Sequence, residues 1–105
     1  MKNLIEAVRV LSLPGEQQLA SQPSGSAKAD ELALGFDDAF RFWKPRRWSE
    51  FSEEEKSALA AIDAALAAMS DEKNGALWSE DAVRHDPRWQ RLREKAQAAL
   101  TLLHE

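Results

Sequence analysis

Residues 52–69 read SEEEKSALAAIDAALAAM, and this stretch decides the fold class. Ser52 and Glu55 form a capping box, in which the serine hydroxyl and the glutamate carboxylate accept hydrogen bonds from backbone N–H groups at a helix start. Large apolar residues then recur at the spacing of one helix face, namely Leu59, Ile62, Leu66 and Met69. The stretch therefore predicts a helix over residues 53–69.

The opposite side of this predicted helix is almost entirely alanine: Ala60, Ala61, Ala64, Ala67 and Ala68. Between Ser57 and Met69 the only charged residue is Asp63. A helix that is apolar all round is normally buried, so we expect this one in the middle of the bundle or at the seam of an oligomer. We expect Asp63 either to pair with an arginine, because a buried charge needs a partner, or to lie at the boundary of the core.

Two predicted helices precede the alanine-rich one. Apolar residues at helical spacing predict the first over residues 2–12 and the second over 27–44. The segment between them, 14–26, is rich in Pro, Gly, Ser and Gln and is predicted to be a loop, with one helical turn near 16–20. Pro45 is expected to end the second helix, because a proline disfavours helical geometry at the residue before it.

A short helix and a long helix are predicted to close the chain. Asn74-Gly75 marks a turn, after which Ser79 is placed to cap a short helix over 80–85. Asp86-Pro87 then opens the last helix, because Asp is a favoured N-cap and Pro is tolerated at the first helical position. This last helix is predicted to run to near residue 103.

Length and composition fit one domain. The 105 residues predict a single all-α domain over 1–105, a compact bundle of four main helices plus a short helix before the last one. The chain has no cysteine, which excludes disulfides and thiolate metal sites. No stretch approaches the roughly 18 apolar residues of a membrane span, and Glu6 and Arg9 interrupt any apolar signal core. We therefore expect a cytoplasmic protein with no membrane partner.

Basic and aromatic residues interleave at the end of the second predicted helix, in RFWKPRRW over residues 41–48. Such interleaving occurs in surfaces that stack bases and hold phosphates, and Arg and Trp also dominate many protein–protein interfaces. The third interpretation is an ordinary helix end with dipole-matched cations and tryptophans that pin a turn. The candidate partner-binding residues at this and a second helix junction are Trp43, Arg46, Arg47, Trp48 and Trp78.

A row of cations is predicted along one flank of the last helix. Arg88, Arg91 and Lys95 recur at i, i+3 and i+7, so they line the same side. They either pair with acidic neighbours or contact an anion or a partner, and Arg88 and Arg91 join the candidate partner-binding residues. On the second predicted helix, Leu34 projects away from the core face, so we expect it to be exposed or to touch something else.

The residue types needed for catalysis do not converge anywhere in the sequence. The glycines are scattered, which excludes a phosphate-cradling loop, and no Glu-x-x-His pair suggests a helical di-metal centre. His85 and His104 accompany no nucleophile motif. We therefore predict no enzyme, no cofactor and no metal.

By exclusion, the predicted function is the binding of another protein. The net charge of −4 suits a basic partner. Small acidic inhibitors of the bacterial immunity or antitoxin type share this chain's size, charge and helicity. Two alternatives stay open: a nucleic-acid-associated protein that uses residues 41–48, and a homodimer or larger homo-oligomer joined through the alanine-rich helix 53–69.

Overall fold

A computed structural model describes residues 2–25, 27–71 and 75–103, and most of them are helical. The helices are α1 Lys2–Leu11, α2 Gly15–Ala20, α3 Lys28–Arg47, α4 Glu53–Asp71, α5 Glu80–His85 and α6 Pro87–Leu100. Short 3-10 turns at Trp48–Glu50 and Gly75–Trp78 complete the secondary structure, and the described ranges contain no strand. The predicted all-α bundle, with four main helices and a short helix before the last, is confirmed.

Among the four long helices, α1 and α6 are the two that each pack against two others. α1 packs against both α3 and α6, and α6 packs in turn against α4. The short helices α2 and α5 pack on each other, and α5 also contacts α6. The large apolar side chains fully buried in the core are Leu4, Val8, Leu11, Phe36, Leu59, Ile62, Leu77, Val83, Trp89 and Leu92.

The helix starts follow the predicted caps. The Glu55 N–H donates to Ser52 Oγ over 3.1 Å, and the Ser52 N–H donates to Glu55 Oε1 over 2.8 Å, which completes the capping box. Ser79 caps α5 by accepting from the Ala82 N–H over 3.1 Å. Asp86 caps α6, whose first residue is a proline. Local sequence therefore determines where these three helices begin.

The prediction that Pro45 ends the second main helix was wrong, because α3 continues to Arg47. Proline removes the backbone N–H that would reach the carbonyl of Arg41, four residues earlier, and its ring crowds that carbonyl. The helix nevertheless continues, because the following turn still closes: the Trp48 N–H donates to the carbonyl of Lys44. In addition, Arg46 Nη1 donates to the carbonyl of Phe42 over 2.6 Å.

The prediction that the alanine-rich helix lies in the middle of the bundle was also wrong. α4 packs mainly on α6 and leaves Ala60, Ala64, Ala67 and Ala68 exposed. An alanine face needs no cover, because each methyl exposes little apolar area and alanine has the highest helix propensity. Asp63 is half-buried at the edge of a groove between α3 and α4, which is the boundary position expected for it.

A buried arginine connects the segment 14–26 to the last helix. Arg93 is 7% exposed. Its Nε donates to the carbonyl of Leu13 over 2.7 Å, and its Nη2 donates over 3.0 Å to both Gln18 Oε1 and the carbonyl of Val83. None of these acceptors is a carboxylate. Burial lowers the pKa of Arg93, and the charge of Glu94 opposes that shift in part.

α2 confirms the helical turn predicted inside 14–26, and its first residue must be small. A Cβ added at Gly15 would lie 2.9 Å from the carbonyl oxygen of Val83.

The predicted turn at Asn74 and the penultimate His104 lie outside the described residues. Within those residues, no helix is long and apolar enough to cross a bilayer.

Candidate protein-binding surfaces

The corner at the C-terminal end of α3, residues 41–48, is assembled largely from its own side chains. The Trp48 ring packs edge-on against Phe40 and Phe51, with ring centroids 5.8 and 5.9 Å apart. Trp43 is half-buried and its Nε1 donates to Asn3 Oδ1 over 2.7 Å, which joins α3 to α1. These contacts match the interpretation in which tryptophans pin a helix junction.

The candidate arginines of this corner already have partners within it. The Arg46 guanidinium lies 4.0 Å from the centroid of the Phe42 ring. Arg47 Nη1 donates to Glu50 Oε1 over 3.2 Å, and its guanidinium lies 5.5 Å from the centroid of the Trp43 ring. Binding of nucleic acid depends on cations that can neutralise phosphates, and here contacts within the chain compete for those cations.

Trp78 lies apart from the corner. Its ring packs at 85° against the buried Trp89, with centroids 5.7 Å apart, and Trp89 Nε1 donates to the carbonyl of Leu77 over 2.8 Å. Trp78 is half-buried and also lines a shallow groove that contains Leu34 and Ser70. Of the candidate tryptophans, only Trp43 and Trp48 share one site.

The predicted cation row borders a groove of about 230 Å³ between α4 and α6. The groove has an apolar lining of Ala65, Ala68, Met69 and Leu92, and its polar members are Arg88, Arg91 and Lys95. Asp86 holds Arg88 through Nε and Nη2, both at 3.1 Å, and this pairing lowers the pKa of Asp86. Arg91 and Lys95 form no ion pair with the residues described. The predicted row is therefore present, but it is separate from the 41–48 corner.

The outer face of α3, defined by Glu31, Leu34, Asp38 and Phe42, presents apolar side chains to solvent. Leu34 is 48% exposed and Phe42 is 46% exposed, and they are the large apolar residues classed as exposed in the described ranges. They lie on one side of the helix, about 12 Å apart along its axis. The expected exposure of Leu34 is confirmed.

Carboxylates surround Leu34 on the surface of α3: Asp30, Glu31, Asp37 and Asp38. Arg41 binds Asp37 over 2.9 Å, and this hydrogen bond raises the pKa of Arg41. The other three acidic side chains form no ion pair within the part of the chain that the structure describes. The Leu34 side chain lines two grooves of the surface, one between α3 and α1 and one between α3 and α4.

Phe42 and Asp38 were not among the predicted site residues. The signal for them was the same as for Leu34, since both fall outside the core stripe of α3 that contains Phe36 and Phe40. The candidates in 41–48 were selected by residue type, as basic and aromatic residues. Position on the helix, and not residue type, determines which side chains face solvent.

Comparisons with known proteins give no functional assignment. No protein-family model, curated protein or solved structure matches this chain. Among the described residues, no group of three or more histidines and carboxylates is placed to hold a metal ion.

Proposed function

We propose that this chain is a non-enzymatic protein that works by binding another protein through the outer face of α3. One observation carries the proposal: in the described ranges, the large apolar side chains classed as exposed are Leu34 and Phe42, and both lie on this face. α3 has a separate core face, which includes Phe36 and Phe40. The ring contacts of Phe42 are with Trp43 and Arg46 of the same helix, so they do not join α3 to another helix.

The outer face of α3 has the arrangement that protein interfaces use. A few apolar or aromatic anchors stand at the centre of an interface, and polar groups surround them. Burying the exposed half of Leu34 against a partner would contribute about 1 kcal/mol. Carboxylates such as Glu31 and Asp38 would steer a basic partner toward these anchors and add specificity.

A cytoplasmic inhibitor of a basic protein is one role that this face would serve. Inhibitors of the immunity or antitoxin type act by covering their target, which requires a surface and no catalytic group. The net charge of −4 supports that role, as do Asp30, Glu31 and Asp38 beside Leu34, which form no ion pair with other described residues.

Affinity capture from the native host with three matched baits tests the proposal. The baits are the wild type, a double variant Leu34→Lys with Phe42→Lys, and a control Ala98→Lys with Thr101→Lys. The control adds the same two charges to exposed positions near the end of α6, away from both candidate surfaces. We expect the wild type and the control to retain one protein in stoichiometric yield and the α3 variant to lose it. Retention by the α3 variant, with its helicity intact by circular dichroism, would exclude this face.

The exposed side of α4 favours a second candidate function, a homo-oligomer. Ala60, Ala64, Ala67 and Ala68 lie exposed on this helix, and side chains this small let two helices approach closely. Sedimentation should then give a dimer that Ala64→Arg dissociates. A monomer at high protein concentration would remove this candidate.

A further inference from the structure

We propose that the partner's contacting element is a basic amphipathic helix, seated in the groove between α1 and α3 with its apolar side over Gly35. The proposal rests on the protein-binding function proposed above and specifies what the outer face of α3 binds.

The groove has the shape of a helix-binding site. Its volume is about 390 Å³, and α1 contributes one stripe of residues to it, Asn3, Glu6, Ala7 and Val10. On α3, Glu31, Gly35 and Asp38 line the groove and recur at i, i+4 and i+7, so they form a row along one side of the helix. The row spans about 10 Å along the axis, which is about two turns of a docked helix, and Phe42 lies one turn beyond Asp38 on the same side.

Charge selects a basic occupant. The carboxylates that line the groove belong to Glu6, Glu31 and Asp38, and no cationic side chain is among its lining residues. Glu6 is hydrogen-bonded to Arg9, which lowers the pKa of Glu6. Glu31 and Asp38 form no ion pair with other described residues, so they are available to lysines or arginines of a partner.

Gly35 provides a second observation that points to a bound partner, independent of the charges that line the groove. Glycine in the interior of a helix is destabilising relative to alanine, so its presence in the middle of α3 needs a reason. Gly15 has one, because a Cβ there would meet backbone, and Gly25 has one, because its φ is +84°. Gly35 has neither: its φ is not positive, and a Cβ added to it would meet nothing within 4 Å.

The reason for Gly35 therefore lies outside the free chain. The residue lines the groove, between the carboxylates of Glu31 and Asp38 and beside the exposed Leu34. Without a Cβ, the backbone of α3 can be approached more closely there than elsewhere along the row. A partner helix that presents an apolar side chain at this point would use that space, and its cations would reach the flanking carboxylates.

Binding of two labelled synthetic peptides, measured by fluorescence anisotropy at low salt, tests the proposal. One is an amphipathic helix of leucine, alanine and lysine about 18 residues long, which is long enough to form a helix. The other carries glutamate in place of lysine. We expect the wild type to bind the lysine peptide and not the glutamate peptide.

Gly35→Ala is the decisive variant, because the proposal predicts opposite signs for its two effects. The added methyl should raise the thermal midpoint of the free protein by roughly 4–8 °C and weaken the lysine peptide about tenfold. Glu31→Gln with Asp38→Asn should also weaken binding. The matched control Glu53→Gln with Glu54→Gln removes the same charge from the start of α4 and should not.

Several results would overturn the proposal: no binding of the lysine peptide, equal binding of the glutamate peptide, or unchanged affinity of Gly35→Ala. Self-association that Gly35→Ala abolishes would instead identify a second copy as the occupant. If affinity capture still yields a partner that depends on Leu34 and Phe42, the proposed function stands and only the basic helix is excluded. If no such partner exists, the proposed function itself fails.

Discussion

Replacement of Arg93 by methionine should destabilise the protein strongly, because the buried guanidinium joins three parts of the bundle. It lies on α6 and donates to the carbonyl of Leu13 after α1, to Gln18 on α2 and to the carbonyl of Val83 on α5. Methionine has a similar length and no hydrogen-bond donor, so the substitution removes the charge and the donors while changing the volume little.

The expected loss follows from two opposing contributions. Three acceptors outside α6, two of them in buried hydrogen bonds, lose a charged donor. A hydrogen bond to a charged group contributes about 1.5 kcal/mol or more, which together is about 4.5 kcal/mol. A fourth acceptor, the side chain of Gln90, is exposed and can turn to water. Methionine offsets about 2 kcal/mol, since a guanidinium without a carboxylate partner no longer has to be taken out of water. The net change is about 2–3 kcal/mol, which corresponds to a fall of roughly 10–20 °C in the thermal midpoint.

Thermal unfolding followed by circular dichroism measures this fall. Arg91→Met is the matched control, because Arg91 is exposed on the same helix, and its replacement should change stability by less than about 0.5 kcal/mol. Gln18→Ala combined with Arg93→Met should be less destabilising than the sum of the two single changes, since both act on one hydrogen-bond network.

A midpoint of Arg93→Met at or above that of the wild type would refute this reasoning. It would mean that burial of the guanidinium costs more than its hydrogen bonds contribute, so that Arg93 is retained for some purpose other than stability. An equal fall in the Arg91→Met control would show instead that loss of any cation from α6 destabilises the chain.

Three further predictions concern the caps and the 41–48 corner. Arg88 lowers the pKa of Asp86, so the ionised carboxylate stabilises the fold above about pH 4 and that contribution is lost as the pH falls through the folded pKa. The midpoint difference between the wild type and Asp86→Asn, which keeps a good N-cap, should therefore shrink below about pH 4 in thermal scans. Ser52→Ala should cost about 1 kcal/mol in urea unfolding, because it removes the capping box of α4; an unchanged midpoint would contradict this. Because Arg46 and Arg47 are engaged within the chain, gel-shift assays at low salt should show no binding of DNA or RNA. A shift that Arg46→Glu with Arg47→Glu abolishes would favour the nucleic-acid alternative instead.

The helix starts could be predicted from sequence because each depends on a few neighbouring residues. Ser52 with Glu55, and Asp86 with Pro87, satisfy backbone groups within a single turn, so no distant part of the chain can change the outcome. Pro45 was misjudged because the rule that a proline ends a helix considers only the hydrogen bond that the proline removes. The residues after Pro45 still close a further turn through the Trp48 N–H and the carbonyl of Lys44, so α3 does not have to end there.

Tertiary features were harder to predict because they depend on which helices meet. The alanine pattern of α4 permits burial but does not require it, and the packing of α1 on α6 left that side uncovered. In the sequence, Arg93 looks like one more exposed cation of a charged helix. Its burial could not be predicted, because its acceptors come from three other segments of the chain. The exposure of Leu34 could be predicted from its position on the helix. The role proposed for Gly35 could not, because it depends on the open space beside that residue in the folded chain.

The packing of α1 between α3 and α6 also has a consequence for how the chain forms its structure during synthesis. The apolar stripe of α1, which includes Leu4, Val8 and Leu11, is covered in part by α6, which is synthesised about 75 residues later. At a translation rate of about 5–20 residues per second, the wait between α1 and the end of α6 is roughly 4–18 s. During that interval the nascent chain carries an amphipathic helix without one of its final partners, so this part of the core cannot close before α6 has been made.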